Sequence, residues 1–332
     1  MSLILDTIAQ HRAALQARED ATMREMARRW LEIEHALQDS VDALALEIAS
    51  MDNKPTQGQI WRSQRYVRLK AQIDEQVANY RHYASTTIAT GQAQAINQAI
   101  NDSVALINSV AVENGASVDF NRLPVEAVNA IIGQSGDGSP LAGVLADASK
   151  AGEDALRRRL IVGVALGSSP AQLARDVMRK GLGTTFTRVS TIYRTEVLRA
   201  YRYTSLQSYR NSGVVTGYKR LSARTSDSCI ACIAADGTEY ELASEFDAHV
   251  ACKCSLIPIV KGYPLNIGTG IDWFNTQPEA TQKTMLGKAR YSLWQDGKVE
   301  LSNMVTRVES ADWGGALVPT SVGELKRRVS GG

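Results

Sequence analysis

The sequence predicts a predominantly helical α+β protein carrying a small, metal-pinned β module, and three observations lead there. Over roughly the first 110 residues the apolar side chains recur every three or four positions, the period of a one-faced helix. Short β-branched or alternating runs begin only at Val214, which marks a change to strands. All four cysteines, Cys229, Cys232, Cys252 and Cys254, fall in one 26-residue window of a 332-residue chain, with His249 among them.

The first segment, 1–115, reads as a long helical hairpin. Met23, Met26, Trp30, Ile33, Leu37, Val41, Leu44 and Ile48 draw one stripe, and Asp52-Asn53-Lys54-Pro55 breaks it because proline removes a donor and restricts its predecessor. A second stripe follows through Trp61, Leu69, Ile73, Val77 and Tyr80, then Ile96, Ile100, Val104 and Ile107. Two helices joined by a short turn lie antiparallel. A lone pair buries little apolar area, so the hairpin either docks on a larger partner or belongs to a self-contained bundle.

The second segment, 116–213, reads as a helical region. Pro124 to Ile132 is expected as a short helix, Gln134 to Pro140 as a glycine-rich loop, and helices resume at Leu141. Ser169-Pro170-Ala171-Gln172 offers a hydroxyl cap, proline at the first helical position and glutamine three beyond the cap. A helix over roughly residues 186–210 turns Val189, Tyr193, Val197 and Tyr201 inward and stops at Gly213.

The third segment, 214–262, is the β module, with strands at Val214–Tyr218, Thr238–Leu242 and Ser255–Val260. Asp236-Gly237 is expected to turn a hairpin, because glycine accepts positive φ. Cys252 and Cys254, two residues apart, are expected on one face of a strand. The fourth segment, 263–332, is a mixed extension opening with a helix at Asp272-Trp273-Phe274 and anchored by Trp294, Gly297 and Trp313-Gly314-Gly315.

Bulk composition excludes several functions. The chain is 44% apolar and 22% charged with a formal charge of +2, so the whole molecule offers no strong electrostatic case for nucleic acid. The basic runs Arg157–Arg159 and Lys326–Arg328 read as solvated helix faces, since three charges do not define a phosphate footprint. The longest apolar run, Leu160 to Gly167, falls far short of the ~20 residues a membrane helix needs. The N-terminus lacks a basic n-region, pointing to a reducing compartment and no membrane.

The cysteine window carries the chemistry. Its spacing is C-x2-C, sixteen residues, then H-x2-C-x-C. Five sulfur and imidazole donors in two pairs plus a histidine suit tetrahedral zinc, which would fix strands too short to hold a core alone. A structural zinc takes four ligands, so Cys229, Cys232, His249, Cys252 and Cys254 contain one spare, and spacing does not say which. Disulfides and reduced, unligated thiols are the competing readings. The zinc-deaminase order, H-x-E ahead of P-C-x-x-C, is reversed here and lacks its glutamate.

The helix carrying Tyr193-Arg194-Thr195-Glu196, then Val214 to Leu221, Arg224-Thr225, Cys229-x-x-Cys232, Asp236-Gly237 and His249-x-x-Cys252-x-Cys254, resembles the phage Mu F-like head-morphogenesis (minor head) proteins. The tail, with Trp273-Phe274, Gln282, Leu286-Gly287 and Trp294-x-x-Gly297-Lys298, is similar to the C-terminal extension of many of them. The likeness covers roughly residues 140–300 and departs at Ser226-Asp227-Ser228, which separate Arg224-Thr225 from the first cysteine, and at Lys253. It implies a low-copy, non-catalytic protein of a tailed-phage head or prophage. Such a protein is built in during procapsid assembly near the portal, with portal or capsid proteins as partners and contact with packaged DNA.

Two other classes compete. A metal-dependent nuclease or transferase would need acid–base groups, yet no histidine follows Cys254. A DNA-binding head protein would use the two basic runs. Arg194 and Glu196 point about 200° apart on a helix and so must serve different neighbours, holding this helix against the β module.

Overall fold

Two helices of 47 and 50 residues dominate the first third of the chain: α1 (Leu3–Ala49), then the six-residue α2 (Gln57–Arg62), then α3 (Gln64–Glu113). The computed structural model describes residues 2–51, 53–136, 138–310 and 314–330. Asp52 of the first break, Asp137 of the glycine-rich loop and Trp313 of the last anchor lie outside the described residues. Thr56 caps α2 in a full capping box with Gln59, so the chain restarts its helix directly after Pro55.

The fold is predominantly helical α+β. Its contacts divide the chain into two units, each built from separated segments: Met1–Leu15, Gln92–Gly138 and Thr195–Gly332 in one, Gln16–Gly91 and Ser139–Arg194 in the other. These units are a division by packing contacts, whereas the four segments read along the sequence follow changes of local pattern. Helices this long run through more than one core, and a change of texture along the sequence does not register that.

The second unit is all helix. Tyr80 donates its hydroxyl to the Met26 carbonyl (3.2 Å) and Arg65 pairs with Glu47 (2.9 Å), so this stretch of α3 runs antiparallel to α1. The stripe expected from Met26 to Ile48 is buried, as are Leu69, Ile73, Val77 and Tyr80, while Met23 is half-buried. These helices do not form a lone pair. Trp30 meets Tyr80 edge-on and stacks with Phe186, with ring centroids 4.9 and 6.1 Å away. The remaining helices are α4 (Leu141–Leu166), α5 (Pro170–Asp176, capped by Ser169 Oγ on Gln172 N) and the start of α6 (Gly183–Ser212). A π-helical turn at Val177–Leu182 joins the last two. A Cβ on Gly181 would stand 2.9 Å from Leu156 Cα, so glycine permits the close approach of this turn to α4.

The first unit gathers a sheet against helix ends. Strands β1 (Val215–Leu221), β2 (Glu239–Glu241) and β3 (Ser255–Val260) form an antiparallel sheet in the order β2-β1-β3, with Tyr218 opposite both Tyr240 and Pro258. Its apolar side chains Val215, Tyr218, Leu221, Leu256, Ile257 and Val260 share a core with Ile4, Ile8, Leu106, Ile107, Val110, Leu206 and Tyr209. Pro124 to Ile132, expected as one helix, is a pair of 3-10 turns, Val125–Ala127 and Asn129–Ile131.

Asp236-Gly237 turns no hairpin. A short helix, α7 (Ile230–Ala234), intervenes between β1 and β2, and Gly237 (φ 90) follows its end, while the Asp236 carboxylate is drawn inward to other partners. The C-terminal extension is better ordered than its pattern suggested. It contains α8 (Gly270–Asn275), α9 (Glu279–Gln295, kinked at Gly287), the hairpin of β4 (Val305–Ser310) with β5 (Gly314–Pro319), and α10 (Val322–Ser330). Ile230, Ile233, Phe274, Leu286, Leu301, Met304 and Leu325 form its core. Among the described residues no helix is long and apolar enough to cross a membrane.

Candidate metal centre

Two short segments supply the five donors. Cys229 stands at the cap position of α7 and Cys232 in its first turn, while His249, Cys252 and Cys254 line the segment that leads into β3. Cys252 and Cys254 therefore precede the strand rather than sit on it. A turn is the reason: Cys252 N–H bonds to the His249 carbonyl (3.1 Å) and Ala251 adopts a left-handed φ of 53°. That conformation strains a non-glycine residue and marks a constrained loop. The Ala251 N–H donates to Thr195 Oγ1 on α6 (3.1 Å), which pins the turn.

The donors converge on Cys232. Its Sγ lies 3.1 Å from His249 Nε2 and 3.8 Å from Cys252 Sγ. The donor atoms of Cys229, Cys232 and His249 lie within 4.8 Å of one another, as do those of Cys232, Cys252 and Cys254. All four cysteines are free, and Cys232, Cys252 and Cys254 are buried. This cluster can hold a metal ion. His249 Nδ1 meets the Val250 carbonyl at 2.8 Å, which turns Nε2 toward the sulfurs, the orientation an imidazole ligand needs.

Protons are already unevenly shared across the cluster. Hydrogen bonding from Cys232, then from His249, holds the Cys229 thiol down to about 4 against its burial. The bonds from Cys232 and Cys254 hold Cys252 well below the ordinary thiol range, and Cys232 itself is pushed up by its bonds to Cys229, Cys252 and Cys254. Cys254 rises to about 12, the pull of Cys232 being outweighed by Cys252 and by burial. His249 is raised to about 10 by Cys229 and Cys252.

Two buried guanidiniums border the sulfurs. Arg220 on β1 is 1% exposed, directs its Nη2 at Cys252 Sγ (3.6 Å) and Cys232 Sγ (4.0 Å), and donates Nη1 to the Asp247 carbonyl (2.7 Å). Arg202 on α6 is 5% exposed and donates Nη1 to the Cys252 carbonyl (2.6 Å). Phe246 presents its ring to both, with Cζ atoms 4.3 Å (Arg220) and 5.6 Å (Arg202) from the centroid. Neither has a carboxylate partner among the described residues. Burial pushes the Arg220 guanidinium down, and Cys254, Cys252 and Cys232 outweigh it and push it up. A buried charge must be paired, and here the negative partners are sulfurs.

A second polar clamp closes the module. Arg224 grips Asp236 with two bonds (Nε 3.0 Å, Nη2 2.8 Å) and reaches the carbonyls of Ile267 and Gly268 (both 3.1 Å). Asp236 also accepts from Ser222 N (2.9 Å) and Ser222 Oγ (2.7 Å), so its carboxylate is fully used. Arg224 takes φ 51 to make this fit. Lys253 points outward to Asp227 (3.6 Å). A cavity of about 100 Å³ beside the cluster is lined by Thr225, Asp227, Ser228, Cys229, His249 and Lys253. Its one carboxylate, Asp227, is kept ionised by Thr225 and then Lys253, against burial.

Arg194 and Glu196 serve different neighbours, as the helical spacing requires, but the partners Glu19, Arg199 and Gly136 lie outside the β module that the two were expected to hold. In the helical unit Arg194 pairs with Glu19 (2.8 Å). In the other unit the buried Glu196 pairs with Arg199 (2.7 Å) and accepts from Gly136 N (3.2 Å). The residue that touches the cysteine turn is Thr195, which the sequence reading passed over. It also missed Arg202 and Arg220. Arg220 stands beside a second cation, Lys219, in Val215–Leu221, and the sequence does not say which of the two turns inward. Compared with protein-family models, curated proteins and solved structures, the chain matches none.

Proposed function

We propose that the cysteine module holds one structural zinc ion and that the protein is a non-catalytic component of a tailed-phage head, built in near the portal during assembly. The observation that carries the zinc reading is the convergence of five sulfur and imidazole donors on Cys232 beside two guanidiniums that have no carboxylate partner among the described residues. The fit is good: Zn–S bonds of about 2.3 Å make a tetrahedral S···S edge of about 3.8 Å, and the Cys232–Cys252 separation is 3.8 Å. A metal that draws thiolates gives Arg202 and Arg220 their counter-charge, whereas neutral thiols or disulfides would leave both uncompensated. Zinc ligated by sulfur alone, or by sulfur and one imidazole, is a closed structural site with no position for substrate.

The head-protein reading rests on the ordered motifs from Arg194 to Lys298. It is supported by the near-neutral charge, which suits an assembly component better than a dedicated DNA binder. The basic runs are weak DNA footprints: Arg327 and Arg328 pair with Glu324, and Arg157 lies over the Trp61 ring at 4.9 Å. Metal analysis of protein purified under reducing conditions, with thiol titration before and after chelation, tests the site. About one zinc per chain with thiols shielded until chelation is expected, and four freely titrating thiols without metal would refute it. Deleting the gene from its phage or prophage is expected to yield defective heads. Normal heads with full infectivity would reject the assembly role.

A further inference from the structure

Beside the metal centre, in the same unit, lies a cavity of about 330 Å³, lined by Arg199 and Arg202 on α6, by Tyr203, and by the Glu245–Ala248 segment. Arg202 is 5% exposed, and what it exposes faces this cavity. Of its five N–H groups, only one hydrogen bond is made among the described residues, that of Nη1 to the Cys252 carbonyl. Its Cζ lies 5.6 Å from the Phe246 ring centroid. Arg199, one turn earlier on the same helix face, uses Nε for Glu196 and Nη2 for the Gln134 carbonyl, which leaves its Nη1 without a partner among the described residues. The two acids of the lining are engaged elsewhere. Asp247 is held by Arg307 (2.7 and 3.3 Å), and the side chain of Glu245 is 77% exposed and reaches Arg210 at 3.5 Å.

We infer that this cavity is a binding site for a phosphate group, received by the unused N–H groups of Arg202 and Arg199. A buried guanidinium whose fork faces an open cavity lacks the acceptors that desolvation demands, and a phosphate supplies several in the matching geometry. The volume exceeds a single phosphate, and the aromatic walls at Tyr203 and Phe246 suit an organic body attached to it. A free phosphate and a nucleotide share this chemistry. Arg220 does not compete for the ligand, because its guanidinium is turned to the sulfurs and to the Asp247 carbonyl.

The test is calorimetric titration of the full, metal-loaded chain with inorganic phosphate, adenosine monophosphate and acetate at constant ionic strength. Saturable binding of one phosphate or one nucleotide per chain is expected. Tighter nucleotide binding would assign the source as nucleotide, and equal affinities would assign free phosphate. Arg202→Lys keeps a donor for the Cys252 carbonyl but loses the fork, and is expected to weaken binding by about tenfold or more. Arg199→Lys keeps a cation for Glu196 but loses the fork, and should weaken binding with metal content unchanged. The inference is overturned if neither phosphate compound binds saturably, if acetate binds as tightly as phosphate, or if Arg202→Lys and Arg199→Lys both bind like the parent.

Discussion

In the helical unit Trp30 meets Tyr80 edge-on, stacks with Phe186 and lies on the buried apolar stripe of α1, its one polar atom donating to Glu34 (2.9 Å). Around Cys232 the neighbours are sulfur, imidazole and guanidinium. The first region is held by apolar area over long helices, where each turn adds burial. The second adjoins strands of three to seven residues whose apolar side chains join a separate core, and the interior around Cys232 itself is polar and charged. Such an interior is stable only when every charge has its partner. A packed apolar core therefore weakens by degrees as groups are removed, whereas a charged one fails when a single partner goes.

Metal removal should separate the two most widely. Structural zinc couples on the order of 10 kcal/mol into the folding of the domain that binds it. Chelation is expected to expose the segment from Arg224 to Cys254 to protease while far-UV helicity largely persists. A parallel loss of helical signal would break the comparison, because it would make the helical unit depend on the metal as well.

Two substitutions should then cross. Asp236→Asn strips the charge from the Arg224 clamp and leaves a guanidinium without its carboxylate, at a cost of about 3–5 kcal/mol. The loss should fall on the cysteine module, read as faster metal release to a chelator. Trp30→Ala opens a cavity among Tyr80, Phe186 and the α1 stripe, also costing about 3–5 kcal/mol, read as a lower urea midpoint with metal release unchanged. If Trp30→Ala released metal as readily as Asp236→Asn, the division of labour would be wrong.

These residues were not equally legible. The Met26–Ile48 stripe announced the helical core because burial there follows a 3.6-residue period, and the cysteine window announced its cluster because few other roles demand such spacing. Arg202, Arg220 and Thr195 gave no comparable signal. Each acts across long gaps in sequence, Thr195 on Ala251 and Arg202 on Cys252, and single arginines or threonines on helices are usually solvated. The Asp236-Gly237 pair misled for a related reason. Its glycine does adopt positive φ, but the aspartate is claimed by Arg224 and Ser222, contacts that only the folded chain brings within reach. The hairpin of β4 and β5 was missed because its register, Val305 opposite Pro319, depends on pairing that local periodicity does not encode.

The smallest effect tests whether polar interiors in the cysteine-bearing unit always need charge. His11 on α1 places Nε2 3.3 Å from Asp102, which also accepts from Tyr201 (2.8 Å) and Gln98 (3.1 Å). Burial lowers the His11 pKa from 6.5, and the Asp102 carboxylate only partly opposes it. The geometry agrees: Nδ1 is buried without a hydrogen-bond partner, so a second proton there would have no acceptor. The folded state thus keeps His11 neutral while the unfolded chain protonates it near 6.5. Its contribution is present above that pH and is lost as pH falls toward the lowered folded value. His11→Gln keeps an N–H for Asp102 and cannot titrate, so it should flatten the fall in stability below pH 6.5 by about 1 kcal/mol or less. Melting curves of both proteins between pH 7.5 and 5, with metal content followed in parallel, separate this from acid release of metal, which both proteins would share. An identical pH slope in the two would mean that His11 carries its charge in the folded state, and that the Asp102 cluster resembles the arginine–sulfur interior rather than contrasting with it.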